Sequence, residues 1–142
     1  MMLAPGYQLI DDQAQIDPVA AHAYLTTSYW SPGIPLDMVK RAIKGSFCVA
    51  VLKDGEQVAF ARTITDYATF AYLADVYVLA EHRGRGLALE MLTYLHAHER
   101  VKGLRRWALF TQDAQSLYAK LGWREYPHPE RMMTLDLPDA YR

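Results

Sequence analysis

Apolar residues recur along this chain at two different spacings, and the switch between them marks out its elements. Tyr7 to Ile10 reads as a short strand. Asp17-Pro18 joins a side-chain cap to a residue suited to the first helical turn, which predicts a helix over residues 18–27. Residues 29–35, Tyr29-Trp30-Ser31-Pro32-Gly33-Ile34-Pro35, form a breaker-rich loop, after which Leu36, Val39 and Ile43 return at helical spacing until Gly45. From Ser46 the spacing changes to that of strands: residues 47–52 and 57–65 flank an Asp54-Gly55 turn, the pattern of a hairpin. Residues 70–79 carry apolar side chains at both parities, as a central strand covered on both faces does. The next helix sets Ala88, Met91, Leu92 and Leu95 on one stripe opposite Glu90, Thr93 and Arg100, with Gly103 as its end. Residues 104–110 read as a strand, 113–121 as a helix capped by Asp113 and stopped by Gly122, and 131–137 as a last strand. The order β, α, α, β, β, β, α, β, α, β predicts an α/β or α+β sheet with a strand-loop-helix crossover in its middle.

Composition narrows the function more than the fold. With 142 residues, 51% of them hydrophobic, the chain is expected to make one domain with a sizeable core. The 15 Lys and Arg against 16 Asp and Glu give no basic excess, which disfavours nucleic acid as the main partner. The single Cys48 cannot form an internal disulfide and lies in an apolar run, the pattern of a buried thiol in a reducing, cytoplasmic setting. The first residues lack a basic and then apolar leader, and no segment approaches the ~18 apolar residues of a membrane span, so neither secretion nor membrane insertion is expected. Among the five histidines, His96 and His98 stand two apart on a helix and point to different sides, so no metal site is expected.

Candidate chemistry concentrates at the crossover. Glu81-His82-Arg83-Gly84-Arg85-Gly86 is a glycine-rich turn opening a helix, where unpaired N–H groups and the positive end of the helix dipole suit a phosphate or pyrophosphate. A Walker loop would need Gly-Lys-Ser/Thr here, and a dinucleotide fingerprint would need a small residue at Leu89. The bland alternative is a surface turn with two solvated arginines.

Arg83-Gly84-Arg85-Gly86-Leu87-Ala88 resembles the Arg/Gln-x-x-Gly-x-Gly/Ala motif of the GNAT N-acetyltransferase superfamily. Residues 113–123, Asp113-Ala114-Gln115-Ser116-Leu117-Tyr118-Ala119-Lys120-Leu121-Gly122-Trp123, resemble that family's Ala-x-x-Leu-Tyr-x-Lys-x-Gly-Phe element, with Trp123 in place of Phe. The two motifs cover about a quarter of the chain, and the element order follows the same fold. The resemblance implies a mixed central sheet of about six to seven strands flanked by about four helices. It implies acetyl-CoA as co-substrate, its pyrophosphate on the amides of Arg83, Gly84, Arg85, Gly86, Leu87 and Ala88, and its pantetheine arm on those of Tyr77 and Val78. It also brings Asp113 and Tyr118 to the cofactor, Tyr118 as donor to the departing thiolate. Tyr118 equally fits a core tyrosine, since Leu117 and Leu121 share its stripe. Thr111 stands where the family frequently has Asn.

An attacking ammonium must lose a proton, usually to a carboxylate or to water. Asp75 is the only acid in the run 70–79, but it lies one residue beyond Ala74, where the family often has Glu. By strand alternation it faces the other way unless a bulge intervenes, so a base and a structural carboxylate both remain open, with Tyr72 or solvent as substitutes. Tyr29, Trp30, Arg62 and Tyr72, with Asp66-Tyr67, are candidates to line an acceptor pocket, the loop aromatics being equally suited to anchoring the loop. The expectation is transfer of acetyl from acetyl-CoA to a small-molecule amine by direct attack in a ternary complex. The rivals are a non-catalytic acyl-CoA sensor and a protein or peptide N-acetyltransferase. A homodimer stays open.

Overall fold

A computed structural model describes residues 3–141. Strand β1 (Tyr7–Ile10) is followed by helices α1 (Pro18–Leu25) and α2 (Leu36–Lys44). Strands β2 (Phe47–Lys53), β3 (Glu56–Thr65) and β4 (Phe70–Val78) come next, then α3 (Leu87–Ala97), β5 (Arg106–Ala108) and α4 (Gln115–Ala119). The strands form one sheet in the order β1-β2-β3-β4-β5, antiparallel throughout except for the parallel β4–β5 pair that α3 connects. The fold is the α+β arrangement expected, with a mixed sheet, but among the described residues that sheet has five strands rather than six or seven, beside four α-helices.

Apolar faces are buried on both sides of the sheet. Val49, Val51, Val58 and Leu73 pack with Leu87, Met91, Leu92 and Leu95 of α3, while Cys48, Ala50, Phe60 and Tyr77 pack with Ala21 and Leu25 of α1 and Val39 of α2. Asp17 caps α1 as expected, its Oδ1 accepting from the amides of Val19 and Ala20. The Asp54-Gly55 turn joins β2 to β3.

Strand β4 carries the irregularity on which the site depends. Phe60 pairs with Tyr77, but Arg62 pairs with Ala74, so β4 holds one residue more than β3 opposite Ala61. Asp75 lies in this bulge with φ +56°, a left-handed conformation that Asp tolerates better than most residues. Leu73 faces α3 and Tyr77 faces α1 and α2, although strand alternation would put residues four apart on the same face. The bulge therefore explains part of the apolar pattern at both parities.

Four expectations are corrected. Helix α3 ends at Ala97, not at Gly103, because His98 turns into extended backbone, bonds Asp11 through its ring and lets Val101 drop into the core. Gly103 belongs to a later turn. Strand β5 is three residues long, since β4 and β5 part company after Tyr72 and Ala108. Helix α4 is shorter than 113–121 and Asp113 does not cap it; the Thr111 hydroxyl accepts from the Ala114 amide instead, at 3.1 Å. Residues 131–137 make no ladder: a short turn at Pro129–Arg131 launches them into solvent, where Met133, Leu135 and Leu137 are almost wholly exposed. Among the described residues no helix is long and apolar enough to cross a membrane.

Candidate active site

The parallel β4–β5 pair spans only Phe70, Ala71 and Tyr72 against Arg106, Trp107 and Ala108. Beyond it β4 runs on alone to Val78, leaving one backbone edge uncovered. The Leu79 amide donates to the Val58 carbonyl of β3 at 2.9 Å. By the two-residue alternation of an antiparallel ladder, the N–H and C=O of Val78 must then face the open edge, and those of Val76 with them. The Arg83 side chain confirms this direction, its Nε donating to the Val78 carbonyl at 3.0 Å. Tyr77, by the same alternation, directs its amide to β3 and buries its ring against Tyr24, 4.1 Å between centroids. Of the two amides expected at the pantetheine arm, Val78 is on the open edge and Tyr77 is not.

Gly84 and Gly86 have φ of +77° and +75°, and Gly86 is the left-handed N-cap of α3. This is why glycine is needed here: the chain must reverse and start a helix with no Cβ between its amides and an incoming group. The first intrahelical bond runs from the Glu90 amide to the Gly86 carbonyl, so the amides of Leu87, Ala88 and Leu89 have no acceptor within the helix. A Cβ built on Gly84 would meet open space. Arg83 is partly occupied as a brace, reaching Val78 and the Tyr24 hydroxyl, whereas Arg85 is exposed beside the Tyr7 ring.

Helix α4 carries Tyr118, 8% exposed, its ring 5.8 Å from that of Trp123. Burial, with the neighbouring Tyr29 and Asp113, pushes the phenol up to about 12, so it stays protonated at neutral pH. Trp123 is held by its Nε1 donating to His96 Nε2 at 2.9 Å, and His96 also packs edge-on against Trp107. Burial lowers the pKa of His96, which keeps the imidazole neutral and able to accept. This support for α4 by His96 carries no signal in histidine spacing, which bears only on metal binding. Among the described residues no group of three His, Cys, Asp or Glu could hold a metal ion.

The loop between α1 and α2 closes the site from above. Trp30 Nε1 donates to Asp75 Oδ1 at 2.9 Å, Arg62 Nε donates to Asp75 Oδ2 at 2.8 Å, and Arg62 Nη1 reaches the Ser46 hydroxyl at 3.0 Å. The Arg62 and Asp75 side chains are only 16% and 11% exposed. Tyr29 stacks edge-on against Trp30, and its hydroxyl accepts from the Gln112 amide at 3.0 Å, tying the loop to the segment before α4. Tyr72 meets Phe110 across β4 and β5, and burial raises the pKa of its phenol. Direct contacts thus link Tyr29, Trp30, Arg62 and Asp75 into one cluster, with Tyr72 beside Asp75 and Arg62 and Tyr118 beside Tyr29, and they add Ser46, Phe110 and Gln112, which the sequence did not single out. Asp66 and Tyr67 serve elsewhere: Asp66 accepts from the amides of Ala68 and Thr69 in a tight turn, and Tyr67 lies under Arg100. Asp113 is exposed at the start of α4.

The family profile of the acetyltransferase (GNAT) domain matches residues 44–125, more than half of the chain. The chain belongs to the GNAT acetyltransferase family. A provisionally classed acetyltransferase of Gibberella zeae is 33% identical over 79% of this chain and 75% of its own length. The crystal structure of a provisional GNAT-family acetyltransferase from Xanthomonas campestris pv. campestris superposes with a TM-score of 0.92 at 43% identity, covering 96% of this chain and 97% of that one. A predicted acetyltransferase from Clostridium acetobutylicum, solved with acetyl-CoA, shares the fold with a TM-score of 0.69 at 17% identity, over 96% of this chain and 98% of its own.

Two outcomes follow for this acetyltransferase. Asp75→Asn keeps the side-chain shape and the left-handed backbone but leaves Arg62 without its counter-charge, so denaturant unfolding should show a loss of about 1–3 kcal/mol. For His96 the folded-state pKa lies below the unfolded value of about 6.5, so the unfolded chain binds the proton first as pH falls. Stability should be level above that pH, decline below it and flatten below the folded pKa. In urea midpoints measured between about pH 8 and 5, His96→Gln should remove the decline attributable to this group.

Proposed function

We propose that this acetyltransferase moves the acetyl group of acetyl-CoA to the amine of a small acceptor with an apolar or aromatic body, by direct attack in a ternary complex. One observation carries the reading: beyond Tyr72 the outer edge of β4 pairs with no strand among the described residues, with a glycine-rich helix mouth following its far end and the exposed rings of Tyr29, Trp30 and Phe110 gathered near Asp75 and Tyr72. The amides of residues 83–88 and the charge of Arg85 suit the pyrophosphate, and the edge at Val78 suits the amide groups of the pantetheine arm.

In the reaction the amine nitrogen bonds to the thioester carbonyl carbon, the carbon–sulfur bond breaks, and the nitrogen sheds a proton while coenzyme A leaves as a thiol. Tyr118 holds its proton more tightly than a thiol, whose ordinary pKa is about 8.5. Its part is therefore to donate a hydrogen bond to sulfur as negative charge grows there, a contribution that exists mainly in the transition state. Cys48 is buried and pushed up to about 12, which supports direct attack over an acyl-cysteine. Tyr72 is disfavoured as base because burial keeps its phenol protonated. Both Asp75 oxygens already accept a hydrogen bond, so Asp75 is assigned as a positioning residue that fixes Trp30 and Arg62, and water takes the ammonium proton.

The acceptor's character is read from what the opening leaves exposed. Tyr29 is 53% exposed, Trp30 38% and Phe110 62%, and Ile64, cross-strand from Tyr72, 42%. Such a wall recovers hydrophobic free energy only from an apolar partner. The near-neutral chain offers no counterpart for a nucleic acid, and the cytoplasm, where acetyl-CoA and reduced thiols coexist, is the compartment assigned.

The test is a thiol-release assay with acetyl-CoA over a panel of arylalkyl amines, polyamines, amino sugars and peptides. Arylalkyl amines should give the highest kcat/KM; a peptide or sugar in first place would overturn the acceptor assignment. With the best acceptor, Tyr118→Phe should lower kcat roughly 10²-fold or more while leaving cofactor binding nearly unchanged. Arg85→Glu, which leaves the backbone alone, should instead weaken coenzyme A binding about tenfold by calorimetry, in line with losing one charge-assisted contact.

A further inference from the structure

We infer that His96 is a positioning residue for the transfer step, keeping the Tyr118 phenol at the leaving sulfur through the Trp123 indole, an inference that rests on the hydrogen bond proposed above from Tyr118 to sulfur. Helix α4 has five residues and no side-chain cap. So short a helix does not hold itself in water, and its placement has to come from tertiary contacts. The main chain supplies one tie, the Trp123 amide donating to the Tyr118 carbonyl at 3.2 Å. The Trp123 ring supplies another, 5.8 Å from the Tyr118 ring and tilted 54° to it. A shift of Trp123 therefore reaches Tyr118 by two routes. What opposes that shift is α3, where His96 Nε2 accepts from Trp123 Nε1 at 2.9 Å. Trp107 of β5 meets the same imidazole edge-on at 4.6 Å between centroids, so His96 stands where α3, β5 and the segment after α4 come together.

The family element that residues 113–123 resemble ends in Phe, where this chain has Trp123. A Phe ring asks only for packing, and ring pairs tolerate a broad range of angles. An indole adds a donor, which needs an acceptor once it leaves water, and the bond it makes weakens steeply when bent. That directional bond fixes the rotation of the indole, which packing alone leaves loose. A neutral imidazole has one acceptor nitrogen, so Nε2 accepts only while the proton sits on Nδ1. Burial favours this neutral form and is the one cause of the lowered His96 pKa; the rings facing it, Trp107 and Trp123, carry no charge. The helix that carries His96 is itself firmly seated, with Met91, Leu92 and Leu95 fully buried. It also opens at the glycine-rich mouth proposed for the pyrophosphate, so cofactor and phenol are both referred to one rigid element. Misplacing a reacting group by about 1 Å can cost 10²-fold, so a bond that fixes the phenol acts on kcat more than on cofactor binding.

The experiment measures kcat and KM with the best acceptor of the amine panel for the wild type, His96→Leu and His96→Gln, each also combined with Tyr118→Phe. His96→Leu keeps the bulk but offers the indole no acceptor, so kcat should fall about 10- to 100-fold with the KM for acetyl-CoA within about twofold of wild type. His96→Gln returns an amide oxygen as acceptor and should bring kcat back to within about threefold. Combined with Tyr118→Phe, His96→Leu should cost less than about twofold more, because no phenol remains to be placed. Should His96→Leu not fold, Trp123→Phe removes the same hydrogen bond from its donor side, and kcat should fall with Tyr118 present and hold with Tyr118→Phe. Equal losses with and without Tyr118→Phe would make the contact merely structural and overturn the inference, as would a loss that His96→Gln does not recover. Wild-type kcat in Tyr118→Phe alone would overturn the role proposed for Tyr118 and this inference with it. A loss in Tyr118→Phe with none in His96→Leu would overturn this inference and leave the role of Tyr118 standing.

Discussion

One extra residue in β4 sets the geometry of everything around it. A regular strand would continue pairing with β5 and would keep Leu73 and Tyr77 on the same face; the bulge at Asp75 does neither, and it turns the strand so that its far half buries Tyr77 under α1 and α2. A left-handed non-glycine residue costs on the order of 1–2 kcal/mol. Here the cost is offset by the side chain that the bulge presents, because Asp75 gathers Arg62 from β3 and Trp30 from the α1–α2 loop, both in short hydrogen bonds. Glycine would relieve the backbone but would lose both contacts. The residue at the bulge is therefore also the tie between the sheet and the α1–α2 loop, which the proposed function sets against the acceptor.

The two sides of that opening use different electrostatics. On the acceptor side a largely buried ion pair sits beneath exposed rings, and its value lies in fixing side-chain positions more than in net stability, since desolvation cancels much of the Coulombic gain. On the α4 side the linked rings are neutral: the Tyr118 phenol is protonated, the His96 imidazole is uncharged, and the Trp123 indole contacts both. Under the proposed reaction, such a buried, protonated phenol suits a developing thiolate, because a weakly held phenol proton would be lost before the sulfur required it.

Local signals in the sequence were sufficient for most elements: the Asp17-Pro18 cap, the Asp54-Gly55 turn and the glycine-rich crossover each rest on chemistry within a few residues. The bulge was legible only as a conflict, an acid inside an apolar run one place from where an acid was expected. Its resolution needed Arg62 and Trp30, which are 13 and 45 residues distant in sequence. The misplaced ends share a cause. His98 rather than Gly103 ended α3 because Asp11, 87 residues away, holds its ring, and α4 takes no side-chain cap, the Thr111 hydroxyl meeting the Ala114 amide just before the helix. Residues 131–137 alternate as a strand does, yet they pair with no strand and leave Met133, Leu135 and Leu137 exposed, so alternation alone did not determine their pairing.

The division between shared and individual chemistry follows the chain order. The family match begins at residue 44 and takes in the crossover loop, the open edge of β4 and α4, which together would hold and cleave the thioester. Tyr29 and Trp30 lie before that match, on a loop whose position is set by Asp75 and Gln112 rather than by the family's motifs. Under the proposed function, acceptor choice would change through the loop's length and aromatic content while the cofactor half stays fixed, provided the bulge still offers an acceptor to whatever donor the loop carries. A loop without Trp30 would leave Asp75 Oδ1 without that donor at the edge of the opening, where an ammonium or a water is the natural replacement. The same carboxylate that anchors here would then be free to meet substrate, so the choice between positioning residue and base rests on one indole N–H.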